Sequence, residues 1–144
     1  MRTLDTSTTV ADPHYLRRAV QLALQAEREG NLPIGAVIVL EDRIVAEGYN
    51  HIWAPVSANT RHAEMEALRA VDPALWPRAG EMTLYTTLEP CMMCAGAILL
   101  HRIGRLVFGA GDNYGGFHLA GDTAGSPGSL PGPIAPWPPY FRDA

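Results

Sequence analysis

The chain has no lysine; all eleven of its basic residues are arginine, set against fifteen acidic residues for a formal net charge of −4. That balance argues against a broad nucleic-acid face, because affinity for such a partner rests on many cations neutralising phosphates. Long apolar runs are also missing, and Met1 to Val10 is a polar, threonine-rich arm without the apolar stretch of a leader, so neither secretion nor membrane insertion is expected. Cysteine is scarce. The two that exist, Cys91 and Cys94, stand two residues apart from one another in a C-x-x-C spacing, which fits a reducing interior and a cytoplasmic location. With 144 residues the chain can bury one sizeable core and is too short for two ordinary domains.

What is present centres on Leu88-Glu89-Pro90-Cys91-Met92-Met93-Cys94 and on His62-Ala63-Glu64 upstream. C-x-x-C lets one turn of backbone offer two thiolates to one metal, and a histidine can complete three protein ligands. Structural zinc sites usually close with four protein ligands, whereas catalytic sites hold three and leave a position for water or substrate. A redox pair is the first alternative, but the rest of a thioredoxin-like unit is lacking. A structural cluster is the second, and it would need a fourth ligand from a histidine or carboxylate because no other cysteine exists. Removing an exocyclic amino group demands a proton on the ring nitrogen and another on the departing amine, and Glu64 is the carboxyl placed to carry them. H-x-E followed by P-C-x-x-C is the pattern of zinc deaminases acting on cytosine or adenine. Ser57, Asn59 and Thr60 are expected to cap a helix beginning near His62, and Pro90 precedes an apolar helical run. Two helix N-termini aimed at a metal would favour thiolate and hydroxide.

Along the chain, residues 1–11 read as a flexible arm, 12–120 as the globular domain and 121–144 as a tail rich in proline and glycine. Asp12 as N-cap and Pro13 open a helix whose apolar positions are Leu16, Ala19, Val20, Ala23 and Leu24, ended by Gly30. Ile34 to Leu40 and Arg43 to Tyr49 form an antiparallel hairpin across Glu41-Asp42, and Asn50 to Arg61 is a loop. A helix from His62 to Ala70, a strand from Met82 to Thr86, a helix from Cys91 to His101 and a strand from Arg105 to Gly109 follow. The order predicts a three-layer α/β/α sandwich around a mixed sheet of about five strands. Six of the twelve prolines fall between Pro127 and Pro139, so no helix runs there; the tail is either disordered or laid over the pocket through Trp137, Tyr140 or Phe141.

These residues resemble the cytidine and deoxycytidylate deaminase superfamily, and most of all its branch of tRNA adenosine deaminases, guanine deaminases and fungal-type cytosine deaminases. The matching pieces are Pro33 to Val37, Gly48-Tyr49-Asn50, His62-Ala63-Glu64, Leu84 to Ile98 and Arg102 to Gly109. The resemblance implies Zn2+ on His62, Cys91 and Cys94, and Glu64 as proton shuttle. It also implies Asn50 as a hydrogen-bonding partner of the base, the backbone of Ala63 and Pro90 near the reacting amino group, and a homodimer. Three departures point away from a polyanionic substrate: Ala58-Asn59-Thr60-Arg61 replaces the family's Asp-Pro-Thr-Ala, a closing basic helix is replaced by the proline-rich tail, and the charge is negative. Phosphate contacts would rest on a patch of Arg61, Arg69, Arg102 and Arg105. The expected substrate is therefore a small nucleobase or nucleoside of guanine or cytosine type. The alternative is tRNA-specific conversion of wobble adenosine to inosine, and a non-catalytic zinc module is the second alternative.

Single residues outside the motifs have quieter readings. His51 and His118 are expected in loops, and Trp53, Tyr114 and Phe117 in core or rim. His101 is expected near a helix C-terminus, Met65, Met92 and Met93 in packing, and the acids other than Glu64 in solvent.

Overall fold

The computed structural model describes residues 12–117. The N-terminal arm, His118 and the proline-rich tail, with its expected lid role, lie outside the described residues. The first helix, α1 (Asp12–Arg28), buries Tyr15, Ala19, Leu22, Ala23 and Ala26 at spacings of three and four. This stripe is rotated from the expected one: Val20 and Leu24 face outward, each 47% exposed. Small residues at Ala19, Ala23 and Ala26 bring the helix close to the sheet, which decides which face turns inward.

Strand β1 (Gly35–Leu40) is buried at every position and pairs antiparallel with β2 (Arg43–Tyr49). Glu41 and Asp42 between them have φ of 52° and 58°, the positive values that a two-residue hairpin turn requires at both central positions. On its other side β1 pairs antiparallel with β3 (Thr83–Leu88), and β3 pairs parallel with β4 (Arg105–Ala110). The order is β2-β1-β3-β4, so the described residues hold four strands where about five are expected from the sequence.

Alternate residues of each strand face opposite sides. Val37, Val39, Tyr85 and Val107 meet Tyr15 and Leu22 of α1. Ala36, Ile38, Leu84 and Leu106 meet Ala63, Ala67 and Leu68 of α2 (Ala63–Ala70) and Ile98 of α3 (Met92–Leu100). One helix on one face and two on the other give the three-layer sandwich. A 3-10 helix over Pro73–Glu81 links α2 to β3, capped by the Asp72 carboxylate accepting from Ala74 N–H at 2.9 Å.

One contact sets the position of α2. A Cβ on Gly48 would lie 2.4 Å from both Ala63 O and Ala67 N, so strand and helix backbones touch there. The acids are not all solvated, contrary to expectation. Asp12 is 3% exposed and accepts from Tyr85 Oη at 2.8 Å and from Arg105 Nη1 and Nη2 at 2.9 and 2.6 Å, which ties the start of α1 to β3 and β4. Removing one partner of such a buried pair costs about 3–5 kcal/mol.

Candidate metal centre and active site

α2 and α3 begin on two of the expected ligands. His62 is the N-cap of α2, with φ −72° and ψ 155°, and Cys91 is the N-cap of α3, with φ −71° and ψ 174°. Ser57, Asn59 and Thr60 do not occupy the cap, contrary to expectation. The extended cap conformation instead turns the imidazole and the thiol off the end of each helix, where the free N–H groups and the positive end of the helix dipole lie. Cys94 comes from the first turn of α3.

The ligand atoms of His62, Cys91 and Cys94 all lie within 4.8 Å of one another. Cys91 Sγ is 3.6 Å from His62 Nδ1. That separation suits zinc: bonds of about 2.3 Å to sulfur and 2.0–2.1 Å to nitrogen in a tetrahedron put the two ligand atoms about 3.6 Å apart. The electrostatics agree with a cation site. A hydrogen bond from the Cys94 thiol, helped by His62, holds the Cys91 thiol down at about 4. Cys94 is correspondingly pushed up, first by its hydrogen bond to Cys91 and then by burial. His62 is raised, chiefly through its hydrogen bond to Cys91. The two cysteines are free thiols that share their cluster with a histidine, which favours a metal over a redox pair.

Glu64, in the first turn of α2, is 4% exposed, and its Oε1 accepts from the Thr86 hydroxyl at 3.0 Å. Burial pushes its carboxyl above the usual carboxylate range, against the opposing pull of its own backbone N–H, of Thr86 and of Cys94. A buried carboxyl held by Thr86 beside the metal-ligand cluster is placed for proton transfer.

Asn50 follows β2 and is fully buried. Its Oδ1 accepts from Ile52 N–H at 3.0 Å, while its Nδ2 has no hydrogen-bond partner among the described residues. An unsatisfied buried donor costs about 1–3 kcal/mol, so this amide is a place for a ligand's acceptor. Ala63 and Pro90 are both fully buried, and the Pro90 carbonyl accepts from Phe117 N–H at 2.8 Å.

Thr86 and Glu89 stand inside the matching stretch Leu84 to Ile98 without a role of their own in the sequence reading, and their contacts emerge only in the fold. Glu89 is 4% exposed, and its Oε2 accepts from Asp112 N–H at 2.8 Å. The chain after β4 then folds back so that Gly116 bridges Cys91, and a Cβ on Gly116 would lie 2.5 Å from Glu89 Oε2 and 2.4 Å from Asp112 O. Asp112 Oδ1 accepts from Tyr114 and Gly115 N–H, a turn legible in Asp112-Asn113-Tyr114-Gly115-Gly116. Glu89 thereby fixes the segment lying over Cys91.

Other expected residues sort themselves by position. His51 stacks on Tyr49 and bonds its carbonyl, while His101 caps α3 and packs on Trp76. Phe117 packs edge-on against Phe108, whereas Tyr114 is 98% exposed and Trp53 57%. Met65 packs on the core, but Met93 is partly exposed. The expected arginine patch is largely neutralised: Arg61 and Arg69 pair with Glu66, and Arg105 with Asp12. Among the described residues no helix is long and apolar enough to cross a membrane.

The model of the cytidine and deoxycytidylate deaminase zinc-binding region matches residues 10–110. The chain is 44% identical over 100 residues to a tRNA-specific adenosine deaminase of Buchnera aphidicola subsp. Schizaphis graminum, covering 69% of this chain and 66% of that protein. It is 43% identical over 107 residues to the tRNA-specific adenosine deaminase of Bacillus subtilis, covering 73% and 65%. The chain thus spans about two thirds of the length of these curated relatives. Among solved structures, one from work on A-to-I editing by tRNA:A34 deaminases is 41% identical with a TM-score of 0.66, covering 72% of this chain and 80% of that one. Guanine deaminase from Bacillus subtilis is 28% identical with a TM-score of 0.64, covering 91% and 89%. Sequence match and fold agree over the same elements, from α1 to β4, and the chain belongs to the zinc-binding cytidine and deoxycytidylate deaminase family.

Proposed function

We propose that the protein is a hydrolytic deaminase converting adenosine to inosine at the wobble position of a transfer RNA. The observation that carries this substrate is the identity of 43–44%, over 100–107 residues, to proteins named tRNA-specific adenosine deaminase. The sequence alone favoured a small base, and the relatives move the preference to the tRNA reading. His62, Cys91 and Cys94 would hold zinc, which when bound would supply a water activated near neutral pH. Glu64 would take up one proton of the attacking water and deliver it to the ring nitrogen beside the attacked carbon, then pass the remaining proton of the added hydroxyl to the departing amine. Water adds, the C–N bond breaks, and the products are the oxo base and ammonia. Asn50 Nδ2 donates to an acceptor on the base, with the backbone of Ala63 and Pro90 flanking the amino group. A cytoplasmic homodimer accompanies this reading, and the outward-facing Met93 and Leu100 of α3 offer apolar surface for it.

The small-base reading has its own observations in favour. The arginines that would meet phosphate are tied to carboxylates, and the guanine deaminase structure covers more of this chain than the tRNA enzyme does. An ammonia-release screen over free bases, nucleosides, nucleotides, tRNA transcripts and an anticodon stem-loop separates the two. Inosine formation in the stem-loop with inert small heterocycles is the expected result. Turnover of guanine or cytosine with an inert stem-loop would replace the proposal with the small-base reading. Inactivity of a zinc-loaded protein on every substrate would favour a non-catalytic module, against which the placement of Glu64 argues.

A further inference from the structure

Thr86 lies in β3, between β1 and β4, opposite Ala36 on one side and Phe108 on the other. Its side chain shares a face with Leu84 and, just before the strand, Met82, both fully buried against the layer of α2 and α3. A hydroxyl in such a row is costly unless it is bonded. Its bond is to Glu64 Oε1, 22 residues away in sequence, at 3.0 Å. The next residue along the strand serves the backbone instead, Thr87 Oγ1 accepting from Gly35 N–H at 3.2 Å.

We infer that Thr86 is the positioning residue of the proton carrier, its buried hydroxyl fixing the rotamer of the Glu64 carboxyl toward the cluster of His62, Cys91 and Cys94. The inference rests on Glu64 being that carrier. A hydroxyl suits the task because it donates to a carboxylate and, by rotating, accepts from a carboxylic acid, so it keeps hold of Glu64 in both proton states of a catalytic cycle. Valine would fill the same space without this bond. The Glu64 carboxyl would then keep only its backbone and Cys94 contacts and be held less firmly, and fewer encounters would find the proton donor aligned with the ring nitrogen.

The test uses the full chain with zinc content measured on each preparation. Thr86→Val is expected to lower kcat by about 10- to 100-fold, part of what a positioned acid–base group contributes, while KM, zinc stoichiometry and Tm stay near wild type. Thr86→Ser is expected to restore most of kcat because it keeps the hydroxyl. The pair Thr86→Ser and Thr86→Ala repeats the comparison at smaller volume should the valine variant fold poorly. Glu64→Gln separates the two levels of the argument. If Glu64→Gln retains full turnover, the proton-carrier reading fails and takes this inference with it. If Glu64→Gln abolishes turnover while Thr86→Val works as well as wild type, only the role of Thr86 is overturned. Equal kcat in the serine and alanine variants, or loss of kcat that tracks loss of zinc, would also overturn it.

Discussion

At Asn50 the two ends of one amide are used differently. Oδ1 is committed to Ile52 N–H and holds the start of the loop after β2, while Nδ2 is buried without a partner among the described residues. Asn50→Asp separates the two tasks, since the carboxylate still accepts from Ile52 but no longer donates to a base. It is expected to reduce kcat/KM by about 10- to 100-fold, the cost of an acceptor left facing an acceptor, with Tm changed little. Steady-state kinetics beside thermal unfolding check this, and unchanged kcat/KM would remove Asn50 from the base-binding set. That His62, Cys91 and Cys94 come together was legible in the sequence, because two thiols and an imidazole at that spacing are the donor set of a metal, with Glu64 as the carboxyl beside them. Thr86 and Glu89 were not. A threonine in a strand and a glutamate within the motif are ordinary locally, and their contacts appear only when β3 is laid against α2 and the chain after β4 returns over Cys91.

The elements were legible because hydrophobic period and turn residues agree with the tertiary contacts over most of the chain. Arg43–Tyr49 is matched residue for residue, and the other shared elements differ at their ends. The miss at the start of α2 is instructive: capping statistics point to Ser57, Asn59 or Thr60, but the cap goes to His62 because the site needs an imidazole leaving the helix end there. The 3-10 helix was hidden behind Asp72-Pro73, which ends α2 and at the same time caps the turn that follows. How α2 is seated depends on Gly48. Gly48→Ala would press a methyl against two backbone atoms of α2 that cannot rotate away, so the helix must shift, carrying His62 and Glu64 with it. Overpacking of this kind costs about 1–3 kcal/mol. A lower Tm together with substoichiometric zinc is expected, whereas Gly111→Ala, whose nearest neighbour would be 3.7 Å away, serves as a tolerated control. Full zinc in Gly48→Ala would mean that the metal cluster does not depend on the seating of α2.

For the whole molecule, fold class and reaction class were legible, since one motif carries the chemistry and the element order carries the sandwich. Substrate was not, because the loop at 50–61 and the segment after Asp112, which the sequence reading expects to choose between bases, carry no motif. Charge gives an independent handle on it. Arg18, Arg61, Arg69, Arg78 and Arg105 are each held by a carboxylate. Arg17, Arg28 and Arg43 have no such ion pair among the described residues, and Arg2 and Arg142 lie outside 12–117, so only a few cations remain to replace counterions on a phosphate chain. Each phosphate neutralised on single-stranded nucleic acid adds about −0.7 to the slope of log affinity against log salt. Binding of an anticodon stem-loop is therefore expected to show a shallow slope, about −2 or less in magnitude per chain, with recognition carried by the extruded base and by stacking. A fourfold rise in salt should then weaken binding by no more than about 16-fold. Titration of labelled stem-loop at several salt concentrations measures this directly. A slope of about −5 or steeper, more than the six other arginines can supply, would show that the carboxylate-bound arginines release their partners to meet phosphate, and the charge argument for a small substrate would lose its force.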